Sequence, residues 1–400
     1  MAQVVIVGAG QAGAAAAAKL RSLGFDGAIT MIGAENAPPY QRPPLSKAYL
    51  MGEMEEERLW LRSWDFWSEA QITLKLGQTV TAIDTAAMTV TAGEVIPYTD
   101  LILATGSTPR RLPAAIGGEL GGVYTVRTLA DVDAMRPEFT AGRKLVIVGG
   151  GYIGLEAAAV GRKLGLDVTV LEMAPRILQR VAAPETSTFF RDLHTAQGAV
   201  ILEETGLDRI TGDTRATGVR LKDGRKIPAD FVIVGVGITP NGAEAAAAGI
   251  ALDNGIRTDT QGRTSAPHVW AAGDCASFPL NGAQLRIESV GNAIDQAELV
   301  AENIMGAARD YVPAPWFWSD QYNCKLQIAG LNLGYDTIVT RGPEADAISF
   351  WYYKGDKLLA VDAMNDSRAY MVGKRLIESG RTPDPAAIAD PATVLKALLK

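Results

Sequence analysis

At roughly 150 residues per domain, 400 residues make two or three domains with cores of their own, which excludes a peptide hormone, a disulfide-stapled toxin or a single small binding module. Hydrophobic residues at 48% and charged residues at 21% are ordinary for a soluble globular chain and exclude wholesale disorder. Lys and Arg number 38 against 45 Asp and Glu, so a net charge of −7 gives no global field favouring nucleic acid or anionic lipid.

The chain opens on Val4 to Val7, read as a strand, with no basic segment ahead of it to suggest a signal peptide. Gly8, Gly10 and Gly13 follow in a G-x-G-x-x-G spacing, then a helix-prone alanine run that stops at Lys19, far short of the roughly 20 residues a bilayer needs. In this pattern the first glycine makes a tight turn, the second lets backbone approach a pyrophosphate and the third packs helix on strand. The phosphates then rest on the helix N-terminus, where free N–H groups favour an anion. After the strand Ile29 to Ile32, Glu35 stands where a carboxylate takes ribose hydroxyls. Two prolines stiffen the run Arg42 to Lys47 and can aim a basic side chain at a fixed point. Trp60, Trp64 and Trp67 recur at helical spacing, which predicts one packed helix face. A turn-broken, alternating stretch from Thr79 to Val95 predicts a small antiparallel meander, and Leu101 to Ala104, followed by Thr105-Gly106, predicts a return to the parallel sheet.

The same device then repeats. Leu145 to Val148 leads into Gly149, Gly151 and Gly154, a helix, the strand Val168 to Leu171 and Glu172. Leu207 to Ile227, with Asp223-Gly224 as a hairpin turn, predicts a second meander, and Phe231 to Val234 runs into Gly235-Val236-Gly237 as Leu101 to Ala104 does into Thr105-Gly106. Two complete strand–loop–helix–strand–acid units imply two dinucleotide sites. Glu172 can bond both hydroxyls of a dinucleotide's ribose and repel a 2′-phosphate, with Arg176 as a nearby opposing charge. Cys275 and Cys324 form neither a CxxC nor a thiolate zinc site and fit a reducing cytoplasm; Cys275 reads as a small buried residue. His194 and His268 lie outside the glycine-rich motifs and read as surface or loop residues. Trp316 and Trp318 alternate as on a strand. Lys325 to Gly330, Thr337 to Arg341, Ile348 to Tyr353 and Leu358 to Asp362 read as further strands, with helices over Ser367 to Glu378 and Ala392 to Leu399.

The two glycine fingerprints, Ala104-Thr105-Gly106 with Pro109-Arg110, Trp270 to Asp274, Tyr40 to Lys47 and Pro315 to Gln321 together resemble the FAD-dependent pyridine-nucleotide oxidoreductases. Within them the chain is similar to the NADH-dependent ferredoxin reductases that serve bacterial cytochrome P450 and ring-hydroxylating dioxygenase systems. The resemblance implies an α/β fold of two duplicated Rossmann-like domains with inserted meanders and a C-terminal α+β interface domain. Residues 1–110 and 240–312 would bind FAD, 111–239 would bind NADH, and 313–400 would form the interface domain. It assigns to FAD the residues Gly8, Gly10, Ala12, Gly13, Glu35, Arg42, Lys47, Val80, Ala104, Thr105, Gly106, Arg127, Gly273, Asp274, Val290 and Trp318. To the nicotinamide dinucleotide it assigns Gly149, Gly151, Tyr152, Ile153, Gly154, Glu156, Glu172 and Gly237. Many members carry the ribose acid one residue earlier than Glu35. Lys47, Glu156 and Trp318 would act at the flavin, Lys47 paired with Glu156 and Trp318 against the isoalloxazine. The partner implied is a [2Fe-2S] ferredoxin docking near Arg62 and Lys325, with no metal, nucleic acid or membrane, in a cytoplasmic monomer or weak dimer. An NADH oxidase, an apoptosis-inducing-factor-like enzyme and a non-catalytic NADH-sensing flavoprotein are the alternatives.

Overall fold

The computed structural model describes residues 2–344 and 347–400. They divide into two compact units, the first made of Met1–Gln41, Glu56–Thr108 and Ile238–Pro315, the second of Arg42–Glu55, Pro109–Gly237 and Trp316–Lys400.

The first unit is built on a five-stranded parallel sheet in the order Val269–Ala271, Asp100–Leu103, Gln3–Val7, Ala28–Gly33, Ile72–Leu76. The central strand is apolar at every inner position because both faces are covered, as a parallel sheet requires. Val4 and Ile6 pack under the helices Gln11–Ser22 and Val290–Ile304, while Val5 and Val7 pack under the meander Ala82–Asp84, Thr89–Ala92 and Glu94–Pro97.

The second unit repeats that plan. Its parallel sheet runs Val200–Leu202, Asp167–Leu171, Lys144–Val148, Phe231–Val234, Val123–Tyr124, with the meander Leu207–Thr211, Gly218–Leu221, Lys226–Pro228. It also contains an antiparallel sheet in the order Trp316–Gln321, Cys324–Gly330, Lys357–Met364, Ala347–Lys354, Thr337–Glu344, backed by the helix Ser367–Glu378. Leu326, Phe350, Tyr352 and Met364 of the antiparallel sheet share one core with Leu155, Ile177 and Phe190.

Two local expectations change. Only Trp64–Glu69 is helical, capped by Ser63, so the three tryptophans do not share a helix face: Trp67 is buried, Trp64 is exposed and Trp60 pairs across to Tyr40. The helix expected over Ala392 to Leu399 is a short 3₁₀ turn at Leu395–Leu399, because Asp390 accepts from Ala392 N and Thr393 Oγ1 and makes a turn there. A short helix at Pro385–Ala389, capped by Asp384, precedes it. Among the described residues no helix is long and apolar enough to cross a membrane, and no group of three or more His, Cys, Asp or Glu could hold a metal ion.

Candidate functional site: two glycine cradles and a buried ion pair

In the first unit the strand Gln3–Val7 ends in Gly8, at φ +119°, where a Cβ would lie 2.1 Å from the Ala104 carbonyl oxygen. A Cβ on Gly13 would lie 2.0 Å from the Gly8 oxygen, so loop, helix and neighbouring strand are in backbone contact. At Gly10 a Cβ would meet nothing within 4 Å. Gly10 is the N-cap of Gln11–Ser22, with no side chain capping it, so the first-turn N–H groups of that helix have no partner within the helix itself. Two glycines forced by packing and one left open by it is the shape a pyrophosphate requires, and the residues present fit a dinucleotide. Nearby in the chain, the Tyr40 hydroxyl donates to Glu35 Oε2. Asp274, in the turn Gly273–Cys275, accepts from Ser107 Oγ at 3.0 Å, and Gly273 N donates to Gln296 Oε1 at 2.9 Å. Thr105 Oγ1 donates to the Asn241 carbonyl at 2.6 Å, which ties the strand end before Gly106 to the residue after the strand Ile238–Pro240. Val80 is buried with the meander, and Val290 opens its helix behind the Ser289 cap. The Cys275 thiol donates to the Leu103 and Ala272 carbonyls and is pushed up by burial, as expected for a packing residue.

The second cradle has the same construction. Gly149, at φ +111°, could not carry a Cβ without meeting Gly235 O at 2.3 Å, Gly154 would meet Gly149 O at 2.3 Å, and Gly151 faces open space as the uncapped N-cap of Tyr152–Lys163. Glu172 is fixed by two backbone donors, Gly150 N to Oε2 at 2.8 Å and Ala174 N to Oε1 at 2.7 Å. Ile153, Met173 and Val236 are exposed apolar side chains on the three segments that frame this cradle, and Gly237, at φ +101°, has nothing near its absent Cβ. Arg176 is turned to Ser187 Oγ and the Gln179 carbonyl.

Lys47 and Glu156 meet within the second unit, Nζ to Oε1 at 2.8 Å, their side chains only 15% and 4% exposed. The proline-stiffened turn Pro43–Ser46 delivers Lys47, and the first turn of Tyr152–Lys163 delivers Glu156. Two hydroxyls complete the carboxylate, Ser46 Oγ to Oε2 at 2.5 Å and Ser319 Oγ to Oε1 at 2.7 Å. Ser319 comes from the strand Trp316–Gln321, which turns Ser319 and Gln321 inward while Phe317 packs on Tyr152 at 4.8 Å. On the opposite side of that strand Trp316 and Trp318 stack, centroids 5.4 Å apart. Arg42 Nη1 donates to the Arg127 carbonyl at 2.7 Å, joining two more of the expected flavin residues.

Sequence reasoning missed Ser46, Ser319, Gln321 and His194 as one cluster; the period-2 placement of Ser319 and Gln321 beside Trp318 was the available signal. His194 corrects the expectation of a surface or loop residue: it is fully buried on Pro184–Ala196, one turn beyond Phe190. His268 is exposed in a turn at φ +60°. Arg62, in the first unit, is exposed with its guanidinium 5.4 Å over the Phe66 ring, and Lys325, in the second, is exposed on its strand.

Duplicated parallel sheets, each ending in a cradle open at its middle glycine, define an oxidoreductase of the two-dinucleotide type. Residues 2–297 match the pyridine nucleotide-disulphide oxidoreductase model and residues 316–399 the reductase C-terminal model. The chain belongs to the pyridine nucleotide-disulphide oxidoreductase family. It is 45% identical over 401 residues to a ferredoxin–NAD(P)(+) reductase of Sphingomonas sp., covering 98% of this chain and 96% of that one. It is 44% identical over 402 residues to the ferredoxin reductase subunit of a 5,5′-dehydrodivanillate O-demethylase of Sphingobium sp., covering 98% and 97%. The crystal structure of a covalent putidaredoxin reductase–putidaredoxin complex superposes with a TM-score of 0.96 at 40% identity, covering 100% of this chain and 98% of that one.

Proposed function

We propose that this chain is an NADH-dependent ferredoxin reductase that passes electrons from NADH through FAD to a [2Fe-2S] ferredoxin feeding a cytochrome P450 or a ring-hydroxylating oxygenase. The observation that carries the reading is the pair of open cradles in a chain whose cysteines are both buried: the Cys275 thiol is raised by burial and the Cys324 thiol is pushed up to about 12, so neither supplies a thiolate for dithiol chemistry. Bound FAD supplies the conversion of a two-electron donor into a one-electron one. FAD is assigned to residues 1–110 and 240–312, NADH to 111–239 and the interface role to 313–400, in a cytoplasmic monomer or weak dimer.

On this reading the chain's own work is placement. The N–H groups behind Gly10 and Gly151 hold the two pyrophosphates, and Glu35 and Glu172 take ribose hydroxyls. Lys47, held by Glu156, sets a positive charge at the flavin, and Trp318 offers an aromatic face. Hydride transfer asks for position and needs no acid or base, which suits a site with no histidine among its assigned residues.

The test is cytochrome c reduction by NADH with the purified holoenzyme. Turnover that appears only when a [2Fe-2S] ferredoxin is added supports the proposal. Ferredoxin-independent peroxide formation would instead mark an NADH oxidase or apoptosis-inducing-factor-like enzyme, and slow flavin reduction with a long-lived charge-transfer complex a non-catalytic NADH sensor.

A further inference from the structure

A continuous line of hydrogen bonds runs through the interior of the second unit and ends on Glu156. Tyr322 OH lies 3.1 Å from His194 Nδ1, and His194 Nε2 lies 2.7 Å from Gln321 Oε1. Gln321 Nε2 lies 3.0 Å from Ser319 Oγ, which lies 2.7 Å from Glu156 Oε1. His194, Gln321, Ser319 and Glu156 are each buried. Three separate pieces of chain supply the line: the helix Pro184–Ala196, the strand Trp316–Gln321 with Tyr322 directly after it, and the helix Tyr152–Lys163.

The charge at one end dictates every proton along it. Glu156 as a carboxylate only accepts, and it accepts from Lys47, Ser46 and Ser319. The single hydroxyl hydrogen of Ser319 is therefore committed to Glu156, and its oxygen must accept. The Gln321 amide accordingly turns its NH₂ to Ser319 and its carbonyl to His194. That carbonyl requires a hydrogen on Nε2, which leaves Nδ1 as an acceptor for the Tyr322 hydroxyl. All donors point one way, toward the carboxylate, and such aligned chains polarise one another in a low-dielectric interior. Burial holds the imidazole neutral, its pKa lowered to about 4, and burial likewise raises the Tyr322 phenol so that it stays a donor.

We infer that His194 is a positioning residue for the Lys47–Glu156 pair, acting through Gln321 and Ser319 to hold the Glu156 carboxylate in one orientation. The inference rests on the proposed function only in giving that pair a place in NADH-driven flavin reduction; the proton order itself does not depend on it.

Two measurements on the full-length holoenzyme test it. Side-chain ¹⁵N NMR at neutral pH should show His194 as the neutral Nε2–H tautomer; an Nδ1–H tautomer or an imidazolium overturns the proton order whatever the enzyme's activity. Gln321→Met breaks the line near its middle while keeping side-chain volume. It should lower the limiting rate of anaerobic flavin reduction by NADH about tenfold, with little change in NADH affinity, as loosened placement of a reacting group does. In a Lys47→Met background the same change should have almost no further effect. His194→Gln, which can still offer an N–H to Gln321, should keep most of the rate, whereas His194→Phe should not. If Gln321→Met acts equally in both backgrounds, or if His194→Phe and His194→Gln are equally active, the positioning role is wrong. A wild-type enzyme whose flavin NADH does not reduce refutes the proposed function, and the NMR result still stands or falls alone.

Discussion

Lys47 and Glu156 come from widely separated parts of the chain and form a largely buried ion pair at 2.8 Å. The carboxylate has three donors and the ammonium also donates to the Pro43 carbonyl at 3.3 Å, so both charges are supported by more than each other. Removing one partner of a buried pair typically costs about 3–5 kcal/mol, because the other is left as an uncompensated charge. We predict that Lys47→Met lowers the thermal unfolding midpoint, and that Lys47→Met/Glu156→Gln recovers much of the loss while both remain slow in NADH-driven flavin reduction. Equal stability of Lys47→Met and the native protein would show that the two hydroxyls alone sustain the carboxylate.

Coenzyme choice is predicted to rest on Glu172. Its two oxygens already accept from Gly150 and Ala174, and a carboxylate has lone pairs left for the ribose hydroxyls. Arg176, the nearby cation that could favour a 2′-phosphate, is bonded to Ser187 and to the Gln179 carbonyl. Glu172→Ser should therefore raise the NADPH-to-NADH ratio of kcat/KM by about tenfold or more, the scale of one hydrogen bond to a charged group. An unchanged ratio would move the ribose site elsewhere.

The glycine cradles were legible in the sequence because backbone contact permits no other residue: Gly8 and Gly13, like Gly149 and Gly154, have neighbouring carbonyl oxygens where a Cβ would be. The hairpin at Asp223-Gly224 and the helix Ser367–Glu378 were legible for local reasons, a turn pair and an amphipathic period. The support of the Lys47–Glu156 pair was not. Ser46, Ser319, Gln321 and His194 are ordinary residues one at a time, and only the antiparallel sheet packed on the second unit's helices brings them into one line. His194 was misplaced for the same reason: on a helix of mixed polarity, nothing local distinguishes the face that tertiary packing buries. The tryptophan series misled because a period of three or four is also produced by a turn that meets a helix, as at Trp60 and Trp64.

Two buried titratable groups should give stability opposing pH slopes. His194 is lowered from 6.5 to about 4 by burial, so the stability of its neutral form is fully present above the unfolded value and is lost as pH falls from about 6.5 toward 4. Asp362, fully buried and accepting from Thr186 Oγ1 at 2.7 Å and from the Tyr352 hydroxyl, is raised from 3.8 to about 6, so its ionisation costs stability as pH rises through that window. We predict that His194→Gln loses less stability than the native protein between about pH 7.5 and pH 5, and that Asp362→Asn loses more. Denaturant midpoints at the two pH values check this, and parallel pH curves for the native protein and both variants would mean that neither group titrates on unfolding.

Docking of the redox partner is predicted to involve Arg62. The guanidinium is exposed and braced over the Phe66 ring, with one hydrogen bond to the Leu61 carbonyl at 3.1 Å, so its remaining donors face solvent in a restricted orientation. A protein of net charge −7 repels an acidic ferredoxin at long range, but screening beyond about 8–10 Å at physiological salt leaves the local patch in control. Reversing one exposed charge changes chiefly the association rate. Arg62→Glu should therefore raise the KM for an acidic [2Fe-2S] ferredoxin several-fold and flatten the dependence of turnover on salt, while stopped-flow reduction of the flavin by NADH keeps its native rate. Lys325→Glu is the parallel test in the second unit, where the side chain projects from an exposed strand position. If Arg62→Glu slows flavin reduction as much as ferredoxin reduction, the effect is on the fold; if it changes neither, the ferredoxin docks on another face.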